Sequence, residues 1–229
     1  MLTLRLGKDR GKTKLDWLDS WHTFSFANYY DPSHMGISAL RVINDDRVKK
    51  GKGFATHYHS NMEIVSYVKK GTIKHKDSMG NIERLPAGEF QLMSAGTGIT
   101  HSEYNPSLEE ELEFLQIWIL TNKQDVKSCY QQKKFETKDG LNLVVSSDGD
   151  KGSLIINQDM SLYHLILSPN TKQEIKINTG RTLYIHIISG EVSCGEFTLI
   201  DGDGASITNQ QKIELQTKTQ LDALVFDLP

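Results

Sequence analysis

The clearest indication of the fold is the sequence IVSYVKKGTI, which occupies residues 64–73. An apolar run rich in β-branched residues ends at Gly71, and a new run begins directly after it, which is typical of a β-hairpin. The sequence LYIHIISGEV at residues 183–192 repeats this arrangement. A turn and a glycine-containing segment follow each copy, at residues 85–92 and 199–207. The repeat predicts two similar β-barrels in tandem.

Outside the repeat, short apolar runs alternate with turn clusters along the whole chain. Clusters such as DSMGN at residues 77–81 and DGDG at residues 201–204 favour an all-β sandwich or barrel. No long amphipathic helix is evident. We therefore predict an all-β chain of two jelly-roll-like barrels. The polar stretch 121–130 separates the halves, which gives predicted domains at residues 1–122 and 123–229.

The composition excludes several classes of protein. The formal net charge of the 229 residues is −3, which gives no strong attraction to nucleic acid or anionic lipid. Two cysteines are too few for a disulfide framework. We find no secretory signal segment and no apolar run of about 18 residues, the length that a membrane-spanning helix needs. These features predict a cytoplasmic protein that binds neither nucleic acid nor a membrane.

The first half carries two short pairs of metal-ligand residues, His57-x-His59 and His101-x-Glu103. Residues two apart on a strand point to the same face, about 6.6 Å from each other. Two facing strands can therefore aim three imidazoles and one carboxylate at one point, and this donor set binds a divalent transition ion. Each pair alone also fits side chains in solvent, so the prediction depends on their combination.

The remaining candidates leave one alternative open. Glu63 shares strand parity with His57 and His59, but it lies about 13 Å beyond His59 along an unbent strand, so we favour Glu103 as the ligand. The other histidines are assigned no metal role: His22 is expected in the core, His34 and His75 in solvent beside turns, and His164 and His186 as hydrogen-bonded or surface residues.

Longer segments carry a family resemblance. Two patterns resemble the first and second cupin motifs, namely Gly51-x₅-His57-x-His59-x₃-Glu63-x₇-Gly71 and Gly96-x₄-His101. The segments WHTFSFANYYDP at residues 21–32 and MSAGTGITHSEYN at residues 93–105 resemble pirin and the pirin-like bacterial bicupins. The resemblance covers essentially the whole chain and is strongest over residues 16–121.

The resemblance implies two cupin barrels with a metal ion in the first only. It also implies quercetin 2,3-dioxygenase activity and four metal ligands, which are His57, His59, His101 and Glu103. Tyr58 stands where many members have proline, and residues 60–61 differ from the common basic residue followed by glycine or aspartate. These departures bear on substrate preference more than on metal binding.

On this interpretation the cofactor is one divalent transition ion, with Fe(II) favoured and Cu, Mn, Co, Ni or Zn as alternatives. A flavonol and dioxygen are the substrates, and Glu103 accepts the proton of the flavonol 3-hydroxyl as general base. Dioxygen then opens the heterocycle and carbon monoxide leaves. The residues expected to wall a flat pocket are Phe24, Met62, Met93 and Trp118.

Two other functions remain open. The first is a metal- or redox-sensing regulatory protein that contacts a protein partner without turnover, the role attributed to eukaryotic pirin. Bound metal without turnover of any flavonol favours this function over the enzyme. The second is a cupin isomerase or sugar-binding protein, which usually needs a basic or Tyr/Asp-rich pocket mouth that the sequence does not show clearly.

Overall fold

A computed structural model describes residues 1–229 and shows a chain built almost entirely of β-strands. The first twelve strands are β1 (Leu2–Arg5), β2 (Gly11–Lys14), β3 (Leu18–His22), β4 (Leu40–Val48), β5 (Gly53–His59), β6 (Met62–Lys70), β7 (Thr72–Asp77), β8 (Ile82–Pro86), β9 (Glu89–Ser94), β10 (Ile99–Tyr104), β11 (Leu112–Leu120) and β12 (Cys129–Lys134). The other ten are β13 (Gly140–Ser146), β14 (Leu154–Ile155), β15 (Ser161–Leu167), β16 (Lys172–Lys176), β17 (Thr182–Ser189), β18 (Val192–Cys194), β19 (Phe197–Leu199), β20 (Gly204–Ile207), β21 (Lys212–Thr217) and β22 (Leu221–Leu228). The helical content is two short 3₁₀ turns, Gly7–Asp9 and Asp150–Gly152. The all-β prediction is confirmed, and no helix is long and apolar enough to cross a bilayer.

The strands form two compact units. The first unit consists of Gly11–Phe135 and Ile156–Gln158, and the second of Met1–Arg10, Glu136–Ile155 and Asp159–Pro229. Each unit contains a seven-stranded and a four-stranded sheet. The orders are β12-β9-β6-β11-β4-β3-β2 and β5-β10-β7-β8 in the first unit, and β1-β20-β17-β22-β15-β13-β14 and β16-β21-β18-β19 in the second. The units are discontinuous in sequence, and the domain boundary after residue 122 stays a prediction.

Alternation along β10 determines which side chains reach the interior of the first unit. Ile99, His101 and Glu103 are at most 2% exposed, whereas the residues between them are more exposed. Two apolar clusters also fill this interior, one containing Phe114 and the other containing Met93. Each fully buried side chain of this kind stabilises the fold by about 1.5–3 kcal/mol. The strand β10 therefore carries polar side chains into the interior beside these apolar clusters.

The second unit has a different interior. A single cluster of buried apolar side chains fills it, from Leu165 on β15 to Val225 on β22. Its histidines are not grouped for metal binding, because both groups of potential ligands in the chain lie in the first unit. His164 is hydrogen-bonded to Asp222 at 2.7 Å, and His186 is buried. A packed apolar core therefore occupies the interior of this unit.

The strand β1 belongs to the second unit although it lies far from that unit's other strands in sequence. It pairs with β20 in antiparallel register, from Leu2 opposite Ile207 to Arg5 opposite Gly204. Just after it, the Gly7 backbone N–H donates a buried hydrogen bond of 2.6 Å to Asp203 Oδ1. A seven-stranded sheet in this unit is complete only when residues 2–5 are in place.

Candidate metal centre

Three neighbouring strands of the four-stranded sheet build the site. In the ladder between β5 and β10, His57 lies opposite His101. On the other side of β10, β7 places Asp77 opposite His101 and His75 opposite Glu103. Directly paired residues point to the same face of a sheet. The site is therefore an array of side chains on one face of β5, β10 and β7.

The structure brings the three predicted histidines together. The ring centroids are 4.8 Å apart for His57 and His59, 4.5 Å for His57 and His101, and 5.0 Å for His59 and His101. One ligand atom from each ring lies within 4.8 Å of the other two. His57 Nδ1 donates to the Ala55 carbonyl at 2.8 Å, which leaves the lone pair on Nε2. This arrangement can hold a metal ion.

The electrostatics of the cluster keep imidazole lone pairs available. Burial and, to a lesser extent, the charge of His57 lower the pKa of His59 to about 4. Burial and the neighbouring histidines lower the pKa of His101 to about 2. Both rings are therefore neutral at pH 7. Neither ring nitrogen of His101 has a hydrogen-bond partner, although the residue is 1% exposed. A metal ion would satisfy such a nitrogen.

Glu103 lies deeper than this cluster. It falls in a second group of potential ligands with His75 and His101, again with ligand atoms within 4.8 Å of one another, and it is absent from the group that contains His57 and His59. Gln116 Nε2 donates to its Oε2 at 2.7 Å and Ser66 Oγ to its Oε1 at 3.4 Å. His101 joins the two groups. The role of Glu103 as fourth ligand stays a prediction.

Glu63, the alternative carboxylate, has other partners. It lies on β6, where its Oε2 accepts hydrogen bonds from Ser94 Oγ at 2.7 Å and from the Asn157 backbone N–H at 3.3 Å. Its Oε1 accepts from Asn157 Nδ2 at 3.2 Å. Glu63 belongs to neither group of potential metal ligands. Its carboxylate instead anchors the short segment Ile156–Gln158 within the first unit.

His75 is a buried neighbour of the site that was not among the predicted ligands. The prediction that this residue lies in solvent is wrong, because its side chain is fully buried. His75 Nε2 lies 3.1 Å from Asp77 Oδ2, and its ring lies 4.7 Å from that of Tyr130. The signal was present in the sequence as His75-x-Asp77, an alternating pair like His101-x-Glu103. The turn cluster at residues 77–81 favoured a solvent position, but His75 lies on the strand that precedes this turn.

Apolar side chains border the histidine cluster. The ring of Trp118 meets that of His59 edge-on at 4.9 Å, and Phe26 meets Trp118 edge-on at 5.3 Å. Met62 and Met93, both predicted pocket residues, belong to the same apolar cluster as Trp118. Phe24 is buried as well. The indole N–H of Trp118 is buried without a hydrogen-bond partner.

The backbone around the site needs glycine at two positions. Gly96 has a φ of +50°, which lets the loop before β10 bend sharply. Gly53 on β5 is required for a different reason, since a Cβ there would lie 2.2 Å from the Glu103 carbonyl oxygen. The exposed ring of Tyr58, one of the departures noted above, lies over Gly98, where a Cβ would meet its hydroxyl at 2.5 Å.

Comparison with known proteins identifies the family of this chain. A family model described as pirin matches residues 4–119, and a model described as the quercetinase C-terminal cupin domain matches residues 143–228. The chain is 48% identical over 229 residues to the quercetin 2,3-dioxygenase of Escherichia coli, covering 100% of this chain and 99% of that protein. The chain belongs to the pirin family.

Solved structures share the fold of this pirin-family chain. The crystal structure of bacterial pirin YhhW from Escherichia coli in complex with nickel(II) aligns with a TM-score of 0.97 at 48% identity, covering 100% of this chain and 99% of that one. The protein YhaK from Escherichia coli aligns with a TM-score of 0.78 at 29% identity, covering 90% and 92%. The prediction of two cupin domains is confirmed.

Asp46 makes the stability of this pirin-family chain depend on pH. Asp46 lies on β4 with 2% exposure, and burial, with the neighbouring charge of Asp45, raises its pKa from 3.8 to about 7. The folded state therefore keeps this proton to a higher pH than the unfolded state, so the free energy of unfolding falls as pH rises from about 4 to about 7. Asp46→Asn is expected to remove this loss and to be more stable than wild type at pH 8, by at most about 4 kcal/mol.

Urea unfolding of the metal-free protein at pH 4, 6 and 8 measures the effect. The matched control is Asp16→Asn, which changes an exposed carboxylate of the same unit. A stability advantage of Asp46→Asn that is the same at pH 4 and pH 8 would contradict the assignment.

Proposed function

We propose that this pirin-family protein is a metal-dependent dioxygenase that cleaves flavonols such as quercetin, opening the heterocycle with release of carbon monoxide. The observation that carries the proposal is the convergence of His57, His59 and His101, whose ligand atoms lie within 4.8 Å of one another. The name of the full-length Escherichia coli relative, quercetin 2,3-dioxygenase, supports a flavonol and dioxygen as the substrates.

The donor set fits a divalent transition ion. Neutral imidazoles suit such ions, and His59 and His101 are neutral because burial lowers the pKa of each. The unpartnered nitrogens of His101 are the strongest sign of fit. In our proposal His57, His59 and His101 hold the ion, Fe(II) being favoured, with Glu103 as the fourth ligand. When bound, the ion would acidify the flavonol 3-hydroxyl and supply the redox chemistry.

Glu103 is positioned and tuned to accept a proton. The hydrogen bonds from Gln116 and Ser66 fix the orientation of its carboxylate. Burial, followed by the charge of Asp46, raises the pKa of Glu103 to about 7. A bound divalent ion would lower this pKa, so that Glu103 is ionised and able to accept a proton at neutral pH. Glu103 takes the proton of the flavonol 3-hydroxyl, and dioxygen then reacts with the flavonolate and opens its ring.

The partly exposed side chains of Phe26, Met62 and Trp118 suit a flat, mostly apolar substrate. Trp118 both supports the His59 ring and presents an indole N–H that has no partner within the protein. A buried donor without a partner costs free energy, which a substrate oxygen can recover by accepting its hydrogen bond. A flavonol, which is a flat ring system with several oxygen atoms, meets both requirements.

Measurement of gas balance tests the proposal. Metal-free protein is loaded separately with Fe(II), Mn(II), Co(II), Ni(II) and Cu(II), and quercetin loss, oxygen uptake and carbon monoxide release are followed together. We expect one carbon monoxide released and one dioxygen consumed for each quercetin lost, and no reaction after the metal is removed by a chelator. Metal-loaded protein that turns over no flavonol would contradict the proposed dioxygenase activity and favour a metal- or redox-sensing regulatory protein.

A further inference from the structure

The strand β7 brings a second set of donors into the first barrel. His75 and Asp77 lie on the same face as Glu103 and His101, each directly opposite its partner across the β7–β10 ladder. These four side chains are buried, with exposures between 0% and 6%. They form a rectangular array that reaches deeper than His57 and His59, both of which are only half-buried.

His75 has an imidazole lone pair that nothing in the chain uses. Its Nε2 donates to Asp77 Oδ2 at 3.1 Å, and this hydrogen bond fixes the tautomer with the lone pair on Nδ1. His75 Nδ1 is buried without a hydrogen-bond partner, and so are both ring nitrogens of His101. A carboxylate that orients an imidazole is the usual support of a metal-binding histidine.

The spacing of these groups suits an ion. One ligand atom each from His75, His101 and Glu103 lies within 4.8 Å of the other two, and the two rings are 5.4 Å apart. Imidazole and carboxylate ligands at about 2.0–2.2 Å lie up to about 4.2 Å from each other around an ion, so only small side-chain movements are needed.

The charge of the barrel interior also favours a cation. Buried carboxylates of the first unit include Asp46, Asp77 and Glu103, whereas its buried residues include no lysine or arginine. Buried carboxylates are normally paired with a cation or coordinate a metal. A divalent ion beside Glu103 and Asp77 would balance two of these charges.

We propose that the first barrel contains a second, deeper metal position formed by His75, His101 and Glu103, with Asp77 orienting His75, for a divalent transition ion. A neutral imidazole has one lone pair, so His101 ligates either the ion of this position or the ion held with His57 and His59, not both. The two positions exclude each other, and the protein binds one ion in total. Metal binding at the deeper position does not depend on whether the protein cleaves flavonols.

Cobalt binding tests the deeper position. Metal-free His57→Ala/His59→Ala protein is titrated with Co(II), and the visible absorption of the ion reports coordination. We expect this variant to bind one equivalent of Co(II). Adding His75→Gln or Asp77→Asn is expected to weaken that binding at least about tenfold. Adding His34→Ala, which alters a histidine outside both groups, is expected to leave it unchanged.

Two results would overturn the proposal. One is a folded double variant that binds no Co(II), and the other is binding of equal affinity with and without His75. Circular dichroism and thermal melting report folding, and His57→Gln/His59→Gln replaces the alanine pair if that variant is unfolded. Quercetin cleavage by the wild type separately tests the ion held with His57 and His59. The proposal of a deeper metal position and the proposal of dioxygenase activity can therefore each be contradicted without the other.

Discussion

Replacing His101 by alanine is expected to remove the bound metal ion and to lower the rate of flavonol cleavage at least about 10³-fold. A metal ion stabilises such a transition state by several kcal/mol, and each 1.4 kcal/mol corresponds to about tenfold in rate. His101 is the member common to both groups of potential ligands, and its ring lies 4.5 Å from that of His57 and 5.0 Å from that of His59. No other histidine can take its place, because His75 lies on the far side of β10 from β5.

Metal content by elemental analysis and quercetin turnover measure this effect together. His34→Ala is the matched control, because His34 contacts Asp31 at 2.7 Å and belongs to neither metal group. The control is expected to keep both metal and activity. A folded His101→Ala protein that retains one equivalent of metal would show that the ion lies elsewhere.

Replacing Glu103 by glutamine is expected to lower kcat by about 10²–10⁴-fold, the usual contribution of a general base. Three histidines still hold the ion in this variant, so the metal content is expected to change much less than kcat. In the metal-free wild type, burial raises the pKa of Glu103 to about 7, so an ion that Glu103 ligates must displace its proton below that pH. Metal occupancy should therefore rise as pH increases toward neutrality, and Glu103→Gln should lose this dependence.

Steady-state kinetics between pH 5.5 and 8.5 test the role of Glu103, with metal content measured on the same samples. Glu63→Gln offers a matched control, since Glu63 is also a buried carboxylate of the first unit but bonds Ser94 and Asn157. We expect its kcat per folded molecule to match the wild type. Equal losses in the two glutamine variants would indicate a general effect of removing buried charge.

Local strand geometry explains why much of the site could be predicted. His57 and His59, like His101 and Glu103, are two apart on single strands, so strand parity alone places each pair on one face. The glycine turns around them could be recognised for the same reason. These features depend on neighbours in sequence, and the sequence contains that information directly.

How deeply each side chain lies in the barrel depends on pairing between strands that are distant in sequence, so it could not be predicted. A register shift between β5 and β10 follows His101, so Glu103 lies opposite Phe54 and not opposite Ala55, as regular pairing would give. His75 was placed in solvent because the pairing of β7 with β10 joins strands separated by two others in the chain. No feature of the sequence near His75 indicates which strand pairs with β7.

Similar long-range pairing affects how the chain matures during synthesis. The strand β1 pairs only with β20, whose last residue, Ile207, is opposite Leu2. At about 5–20 residues per second, a ribosome needs roughly 10–40 s to make the roughly 200 residues between them. During that time residues 2–5 have been made but have no partner, while the barrel that contains His57 and His101 can already close. The strand β1 is thus translated before β2–β22 and is among the last of them to reach its native place.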